Sequence, residues 1–170
     1  SNHPQNSNPT EGQDIWMSEK NEKGEWQPAV NIGQPFNKQQ FNTLFNISTS
    51  GNKMLIGGSY KSGVYWGVGF SFIEKRNGTW AEPTELDIKK FDKMNSGLYS
   101  SANLLPDNKT LLLSFSEEVD GKLNNLYVSR LSVNGRWSQP KSLGAIINTP
   151  YDESTPFMAA DGVTLYFSSN

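Results

Sequence analysis

A three-residue pattern, Gly-x-Trp, occurs three times along the chain, and no other sequence feature constrains the fold as strongly. Its tryptophans are separated by 54 and 57 residues, and they are Trp26, Trp80 and Trp137. An aromatic residue precedes each of them by ten positions: Trp16, Phe70 and Tyr127. Self-similarity at a fixed period is typical of repeat architectures, in which each copy is one supersecondary unit that packs on its neighbours. The sequence therefore predicts three copies of one structural unit.

A second repeated element, a polar turn followed by an apolar residue, lies out of phase with the first. Its copies are 50–55, 107–111 and 161–165. After two of the tryptophans, a glycine and an asparagine follow at fixed steps: Gly33 with Asn37, and Gly144 with Asn148. The middle copy departs from this spacing, because Asp87 stands where glycine is expected. These fixed offsets extend the repeat beyond the tryptophans in two of the three copies.

Alternating apolar and polar residues, bounded by Gly, Asn, Asp and Pro, predict short strands throughout the repeats. Four antiparallel strands are expected in each of the two inner repeats: 41–48, 54–59, 67–74 and 80–86, then 100–105, 111–116, 125–131 and 137–143. Four strands per repeat of about 55 residues are typical of β-propeller blades. We expect an all-β protein built of such blades, with less than about 10% helix.

Composition and charge exclude several classes of function. The chain has 170 residues, a formal net charge of -2 and no cysteine, and its only histidine is His3. Such a charge, with no basic run, argues against phosphate-driven binding of nucleic acid. Without cysteine, the chain cannot form disulfides or a cysteine-rich zinc site, and a single histidine in the polar tail argues against Ser-His catalysis. No cofactor is expected. No apolar stretch approaches the roughly 20 residues of a membrane span.

The repeated segments are similar to a known family. The segment 152–170 resembles the TolB-type, WD-like β-propeller repeat, and so does the segment 14–20 with its continuation through Gly24, Trp26, Pro28, Gly33 and Asn37. The resemblance implies a β-propeller of a kind common in exported, envelope-associated proteins of Gram-negative bacteria, in the periplasm or at the outer membrane. Such propellers often stand beside OmpA-type peptidoglycan-binding domains. The resemblance implies binding rather than catalysis.

The repeat boundaries predict a single propeller domain, or propeller segment, over residues 1–170. Two whole blades are flanked by a half-blade at each end, with these parts: a polar tail at 1–13, the third and fourth strands of the first blade at 14–40, the second blade at 41–97, the third blade at 98–151 and the first two strands of the last blade at 152–170. Three blades are too few for a ring, since propellers carry roughly four to eight. Further blades of a longer chain or strands of a second copy are therefore expected partners.

Long connections on one face of the predicted propeller are the expected binding site, because long loops on a rigid scaffold carry function. The connections 60–66 and 117–124 are longer than the turns at the opposite face. The candidate ligand-binding residues on this face are Tyr60, Tyr65, Trp66, Tyr99, Tyr151 and Asp152. Trp66 is expected to be exposed, whereas the three repeated tryptophans are expected to be buried between blades.

Acidic residues offer two further interpretations. Glu117, Glu118 and Asp120 carry oxygen ligands suited to calcium, although they lack the fixed spacing of a calcium loop, and a solvated acidic turn is the alternative. Asp152 and Glu153, beside Asp161, could form the carboxylate pair of a glycosidase, which requires a separation of roughly 5 to 10 Å. Asp161 is also expected to serve its turn.

The leading hypothesis is a non-enzymatic interaction or scaffold module of an exported or cell-envelope protein. Its partner would be a protein, a peptidoglycan-like polymer or another glycan, bound on the long-loop face. The alternative is a glycan-active propeller hydrolase or lyase. A third interpretation makes the chain an assembly part whose partners are other propeller segments. Fold alone does not decide among these functions.

Overall fold

The computed structural model describes residues 12–38 and 42–170, and it confirms an all-β protein with 3% helix and 44% strand. Residues 1–11 of the predicted tail, including His3, and the first residue of the strand expected from Phe41 lie outside the described residues. The described strands form antiparallel sheets, named I to IV in chain order. The described residues do not form a closed propeller ring. No described helix has the length and apolar character that a membrane span requires.

Each sheet is built from consecutive strands. Sheet I contains β1 (Trp16–Met17) and β2 (Val30–Asn31). Sheet II contains β3 (Leu44–Ile47), β4 (Lys53–Lys61), β5 (Val64–Arg76), β6 (Thr79–Trp80) and β7 (Thr84–Glu85). After a one-turn helix, α1 (Phe91–Met94), sheet III contains β8 (Ser101–Leu104), β9 (Thr110–Phe115), β10 (Asn125–Arg130) and β11 (Lys141–Ser142). Sheet IV contains β12 (Glu153–Met158) and β13 (Leu165–Ser169).

The fourth strand of each inner repeat is shorter than predicted. The expected strand 80–86 is divided into β6 and β7, and the expected strand 137–143 is reduced to β11. Pro83 lies between β6 and β7, and Pro140 directly precedes β11. Proline has no backbone N–H and therefore interrupts the hydrogen-bond ladder of a strand. The repeated proline thus shortens the outer strand in both copies.

The repeated asparagines hold the third strand of their copies in the same way. The Asn37 side chain accepts a hydrogen bond from the Ile15 amide (2.8 Å) and donates one to the Ile15 carbonyl (3.0 Å). Asn148 does the same for the amide (2.8 Å) and carbonyl (2.9 Å) of Leu126. Both bonds satisfy backbone groups that an adjacent strand would otherwise pair. The fixed spacing of glycine and asparagine in the sequence therefore marks this pair of hydrogen bonds, which we call the Asn37 clamp and the Asn148 clamp.

In the middle repeat, the aromatic residue ten positions before the tryptophan lies one position earlier along the third strand than its counterparts in the other two repeats. The outer strand donates a backbone hydrogen bond to the carbonyl of Ile15, Phe70 or Leu126 in successive copies. Phe70 therefore corresponds to Ile15 and Leu126, and not to the aromatic residues ten positions before the other tryptophans. The cause is a shorter connection, since Lys75 pairs with Trp80 whereas Leu131 pairs with Trp137.

The second repeated element forms the same turn in two copies. The Asp107 carboxylate accepts hydrogen bonds from the amides of Lys109 (2.8 Å) and Thr110 (2.9 Å) and from the Thr110 hydroxyl. Asp161 makes the equivalent bonds to Val163 and Thr164. The hydrogen bond from the Thr164 hydroxyl is the largest of the causes that lower the pKa of the Asp161 carboxyl. The sequence prediction that Asp161 serves its turn is thereby confirmed.

The apolar core lies between consecutive sheets. The junction of sheets I and II buries Ile15, Phe36, Ile56, Tyr60 and Ile73, with Ile32, Met54 and Trp80 packed against them. The junction of sheets II and III buries Leu55, Phe70, Leu86, Ile88, Phe91, Ala102, Leu104, Leu111, Leu113, Phe115, Tyr127 and Trp137. Each repeat is therefore stabilised by its neighbour rather than by a core of its own.

The prediction that all three repeated tryptophans are buried is wrong for Trp26. Trp137 is 5% exposed and Trp80 is partly buried, but Trp26 is 69% exposed. Trp137 is covered by the preceding repeat, because it forms a backbone bridge with Ile88. Trp26 belongs to sheet I, and no sheet precedes sheet I among the described residues. Burial at this position therefore depends on a neighbouring repeat.

The connection 60–66, expected to be a long loop, is a tight hairpin instead. Strand β4 continues to Lys61 and β5 begins at Val64. The two turn residues, Ser62 and Gly63, have φ angles of 51° and 75°. Two consecutive residues with positive φ match the twist of antiparallel strands in a two-residue hairpin. Ser62 is an unusual residue in this conformation, which is why the sequence did not indicate the turn.

Candidate functional site

A stripe of exposed apolar side chains follows the first part of β5. Val64, Trp66 and Val68 are 63%, 69% and 71% exposed. The three residues lie within one short segment of β5, in which the pairing with β4 shifts register on both sides of the Ser59–Gly67 pair. The Lys61 ammonium lies 4.9 Å from the centre of the Trp66 ring. We call this surface, with Lys61, the β5 stripe, and the prediction that Trp66 is exposed is confirmed.

The hairpin that carries the β5 stripe is fastened to the rest of the protein. The pairing of β4 and β5 shifts register next to Gly58, whose φ is 94°. A Cβ atom at Gly58 would lie 2.8 Å from the Tyr60 ring and would strain this conformation. At the turn, the Lys38 ammonium donates a hydrogen bond to the Gly63 carbonyl (3.2 Å) and forms an ion pair with Glu82 (2.5 Å). The stripe is therefore presented by a bent, tethered hairpin.

The outer edge of β5 is open beside the stripe. Strands β6 and β7 pair with β5 only at Lys75–Arg76 and at Ser71–Phe72. In the described part of the chain, no strand pairs with that edge between Val64 and Gly69. A cavity of about 460 Å³ adjoins it, and its lining includes Lys61, Trp66, Val68, Phe70, Asp87 and Asp92. Apolar surface, charges of both signs and an open strand edge therefore meet at one place.

The predicted site residues do not form one cluster. Tyr60 is only 2% exposed and belongs to the core between sheets I and II, so its assignment to the binding surface is wrong. Its ring packs edge-to-face on Tyr65 at 5.6 Å, because the bend at Gly58 turns the hairpin inward. Tyr99 and Tyr151 are exposed but precede β8 and β12, respectively. The Asp152 carboxylate accepts a hydrogen bond from the Asn124 amide (2.8 Å).

The acidic loop after β9 does not form the predicted calcium site. Burial in the core and, after it, the nearby Glu117 carboxylate raise the pKa of the Tyr127 hydroxyl. The Glu118 carbonyl accepts a bond from the Gly121 amide, and the Asp120 amide donates to Ser96. Within residues 12–38 and 42–170, no group of three or more acidic, histidine or cysteine residues is placed to hold a metal ion. The loop is held by these backbone bonds, and the Glu117 carboxylate acts on Tyr127.

Alkaline pH should destabilise the fold through Tyr127. Burial, followed by the charge and hydrogen bond of Glu117, raises the pKa of Tyr127 to about 12. A folded-state pKa above the unfolded value of about 10 gives stability that is present below pH 10 and is lost as pH rises toward 12. We expect Tyr127→Phe to flatten this loss in urea unfolding measured from pH 8 to 11. The exposed control Tyr99→Phe should retain it, and equal curves for both variants would contradict the assignment.

The carboxylates considered for glycoside hydrolysis are not paired. Asp152 directly precedes the six-residue strand β12, and Asp161 follows it. At about 3.3 Å per strand residue, the two lie on the order of 20 Å apart, which exceeds the spacing of a glycosidase pair. Glu153 is fully buried and accepts hydrogen bonds from the Thr149 amide (3.1 Å) and the Ser169 hydroxyl (3.3 Å). These carboxylates are therefore structural.

Sequence reasoning identified Trp66 but missed its neighbours on the stripe. The alternation Val64, Trp66, Val68 is visible in the sequence and is typical of a strand, but the exposure of these residues is not. Whether the outer edge of β5 is paired depends on the residues of β5 with which β6 and β7 form hydrogen bonds. The sequence does not specify those residues. Comparison of the chain with protein-family models, curated proteins and solved structures finds no significant match.

Proposed function

We propose that the chain is a non-enzymatic interaction module of an exported or cell-envelope protein, in which sheets II and III are whole β-propeller blades and sheets I and IV are half-blades. Three features support the blade interpretation. The Asn37 and Asn148 clamps, the Asp107 and Asp161 turns and the tryptophans at the sheet junctions recur from copy to copy. The resemblance to TolB-type repeats supports the envelope location.

The β5 stripe is the proposed contact surface, and an extended segment of a protein is the proposed partner. One observation carries this proposal: Val64, Trp66 and Val68 are each more than 60% exposed beside a strand edge that no described strand pairs with. An extended peptide can add a strand to such an edge, since its main chain pairs with the edge and its side chains fill adjacent pockets. The cavity beside Trp66 and Phe70 would receive one of those side chains.

A glycan is the second candidate partner, because the exposed Trp66 ring could stack on a sugar. Lys61 covers part of that ring, at 4.9 Å from its centre. A sugar would therefore compete with Lys61 for the ring face, whereas a peptide strand would use the edge and leave Lys61 in place. Replacing Lys61 by alanine should consequently improve sugar binding and leave peptide binding nearly unchanged.

Trp66→Ala should weaken partner binding by on the order of 1 to 3 kcal/mol, as expected for an aromatic anchor at an interface. Peptides selected from a random-sequence display library, cell-wall fragments and oligosaccharides are the probes, and isothermal titration is the measurement. Folding should be unaffected, because the Trp66 side chain is largely exposed.

The matched control is Tyr99→Ala, which removes an equally exposed aromatic residue from another segment. Its binding affinity should equal that of the unmodified chain. Selected ligands that bind Trp66→Ala as tightly as the original would exclude the β5 stripe as the contact surface. Loss of binding in Tyr99→Ala alone would place the contact on the segment before β8 instead.

A further inference from the structure

The outer edge of β5 separates from the segment that follows β7 at one point. The Leu86 amide donates a hydrogen bond to the Phe70 carbonyl (2.9 Å), and the Ile88 amide donates one to the Leu86 carbonyl (2.9 Å), which makes a tight turn around Asp87. After this turn the chain leaves β5, because Ile88 forms a bridge with sheet III. The open edge at 64–69 and the segment that leads into α1 therefore diverge, and the cavity of about 460 Å³ lies between them.

The inner surface of this cavity is apolar. Four of its lining residues are at most 6% exposed and are among the core residues named above: Phe70, Leu86, Ile88 and Phe91. The exposed side chains of Trp66 and Val68 line it from the side of β5. A segment that pairs with the open edge would therefore place a side chain on apolar surface.

The charges that line the cavity are not balanced. Lys61 and Glu85 pair with each other, since the ammonium lies 3.7 Å from the Glu85 carboxylate, which also accepts a hydrogen bond from the Ser59 hydroxyl (2.5 Å). Asp87 and Asp92 also line the cavity and are exposed, and neither carboxylate has an ion pair or a hydrogen bond within the described part of the chain. The lysines of the adjoining segment do not line it: Lys89, Lys90 and Lys93. Two carboxylates are therefore left for a partner of opposite charge.

We infer that the side chain which the partner segment inserts into this cavity is that of an arginine or a lysine. The inference rests on the function proposed above, because it requires the partner to pair with the β5 edge. Both side chains have an apolar stem and a charged head, so the stem would pack on the apolar lining while the head meets Asp87 and Asp92. An apolar side chain would leave the two carboxylates without a partner, and an acidic one would be repelled by them. The preferred partner is thus an extended segment with a basic residue at its centre.

A titration followed by nuclear magnetic resonance tests the inference, because it measures weak affinities and locates the contact. The probes are blocked seven-residue peptides of alternating threonine and valine, whose central residue is replaced by arginine, lysine, norleucine or glutamate. We expect amide shifts at residues 64–69 with the arginine, lysine and norleucine peptides. The two basic peptides should bind at least about fivefold more tightly than the norleucine peptide, as expected for ion pairs at partly exposed sites. The glutamate peptide should bind most weakly.

The double variant Asp87→Asn/Asp92→Asn should remove most of this preference and leave the affinity for the norleucine peptide unchanged. Its fold should be preserved, because both side chains are exposed and asparagine has nearly the same shape as aspartate. The matched control is Glu22→Gln/Glu118→Gln, which removes the same charge from exposed residues that do not line the cavity. The control should keep the preference. An equal loss of preference in both double variants would show that it arises from net charge, and would overturn the inference.

The remaining outcomes separate this inference from the proposed function. Equal affinities for the lysine and norleucine peptides, with shifts at residues 64–69 in both cases, would overturn the inference and leave the proposed function in place. A complete lack of shifts at residues 64–69 with all four peptides would overturn both. Shifts there with the sugar chitohexaose, but with none of the peptides, would also overturn both and would make a glycan the occupant.

Discussion

Replacing Trp137 by alanine should lower the free energy of unfolding by about 3 to 5 kcal/mol, the range for a large aromatic residue removed from a core. Trp137 is 5% exposed and packs in the cluster that joins sheets II and III. Its removal would leave a cavity at a junction on which both sheets depend, and local collapse could fill that cavity only in part. Urea unfolding followed by circular dichroism measures the change.

The same substitution at the other two repeated tryptophans provides the comparison. At dilute concentration, Trp26→Ala should change stability by less than about 1 kcal/mol, because its ring is mostly solvated. Trp80→Ala should lie between the two, since its ring is partly buried on Phe36. Equal losses at all three positions would contradict the dependence on a preceding sheet, and so would a larger loss at Trp26 than at Trp137.

Phe115→Ala should have a comparable effect, about 3 to 5 kcal/mol. Phe115 is fully buried and stacks on Tyr127, with ring centres 4.1 Å apart. On its other side it meets Phe91 of α1 at 5.3 Å, and Phe91 meets Phe70 of sheet II at 5.3 Å. This aromatic chain connects sheet II to sheet III through the helix, so its interruption should weaken both sheets.

Two observations test that expectation. Unfolding of Phe115→Ala should occur at a lower urea concentration for both sheets, which amide hydrogen exchange reports residue by residue. The control is Phe157→Ala, whose side chain is 55% exposed and which should shift the midpoint little. Exchange that accelerates only in sheet III would show that the aromatic chain does not couple the two sheets.

The recurring contacts that the sequence pattern marks are those that arise from local spacing. A carboxylate at Asp107 or Asp161 bonds the amides two and three residues ahead, and Asn37 or Asn148 reaches a strand 22 residues back. These contacts require only a fixed number of residues between the two partners. The same residue type at the same offset in two repeats therefore indicates the same hydrogen bond in both. The all-β class and the strands of sheet IV follow from the same kind of pattern.

The features that sequence reasoning missed depend on residues far away in the chain. Trp26 has the same local sequence signal as Trp137, but its exposure is set by the absence of a covering sheet among the described residues. Tyr60 lies in an aromatic segment that suggested a surface platform, yet the bend at Gly58 directs it into the core. Burial at these positions is a property of sheet packing rather than of the segment itself.

The candidate site was predictable in part for the same reason. Trp66 was found because an exposed aromatic residue between glycines is conspicuous, whereas Lys61 reaches its ring only through the hairpin turn at Ser62 and Gly63. The carboxylates near Asp152 suggested chemistry by their type, but β12 separates Asp152 from Asp161. Residue type indicated candidates, and strand geometry decided which of them meet.

Packing of each tryptophan on the preceding repeat is the central feature of this fold, and nuclear Overhauser effects measured on the dilute chain test it directly. Cross-peaks are expected between the Trp137 indole and the Ile88 methyl groups, because these residues form a backbone bridge, and between the rings of Trp80 and Phe36, whose centres are 5.2 Å apart. Trp137 without contacts to Ile88, or Trp80 without contacts to Phe36, would contradict the stacked arrangement of repeats.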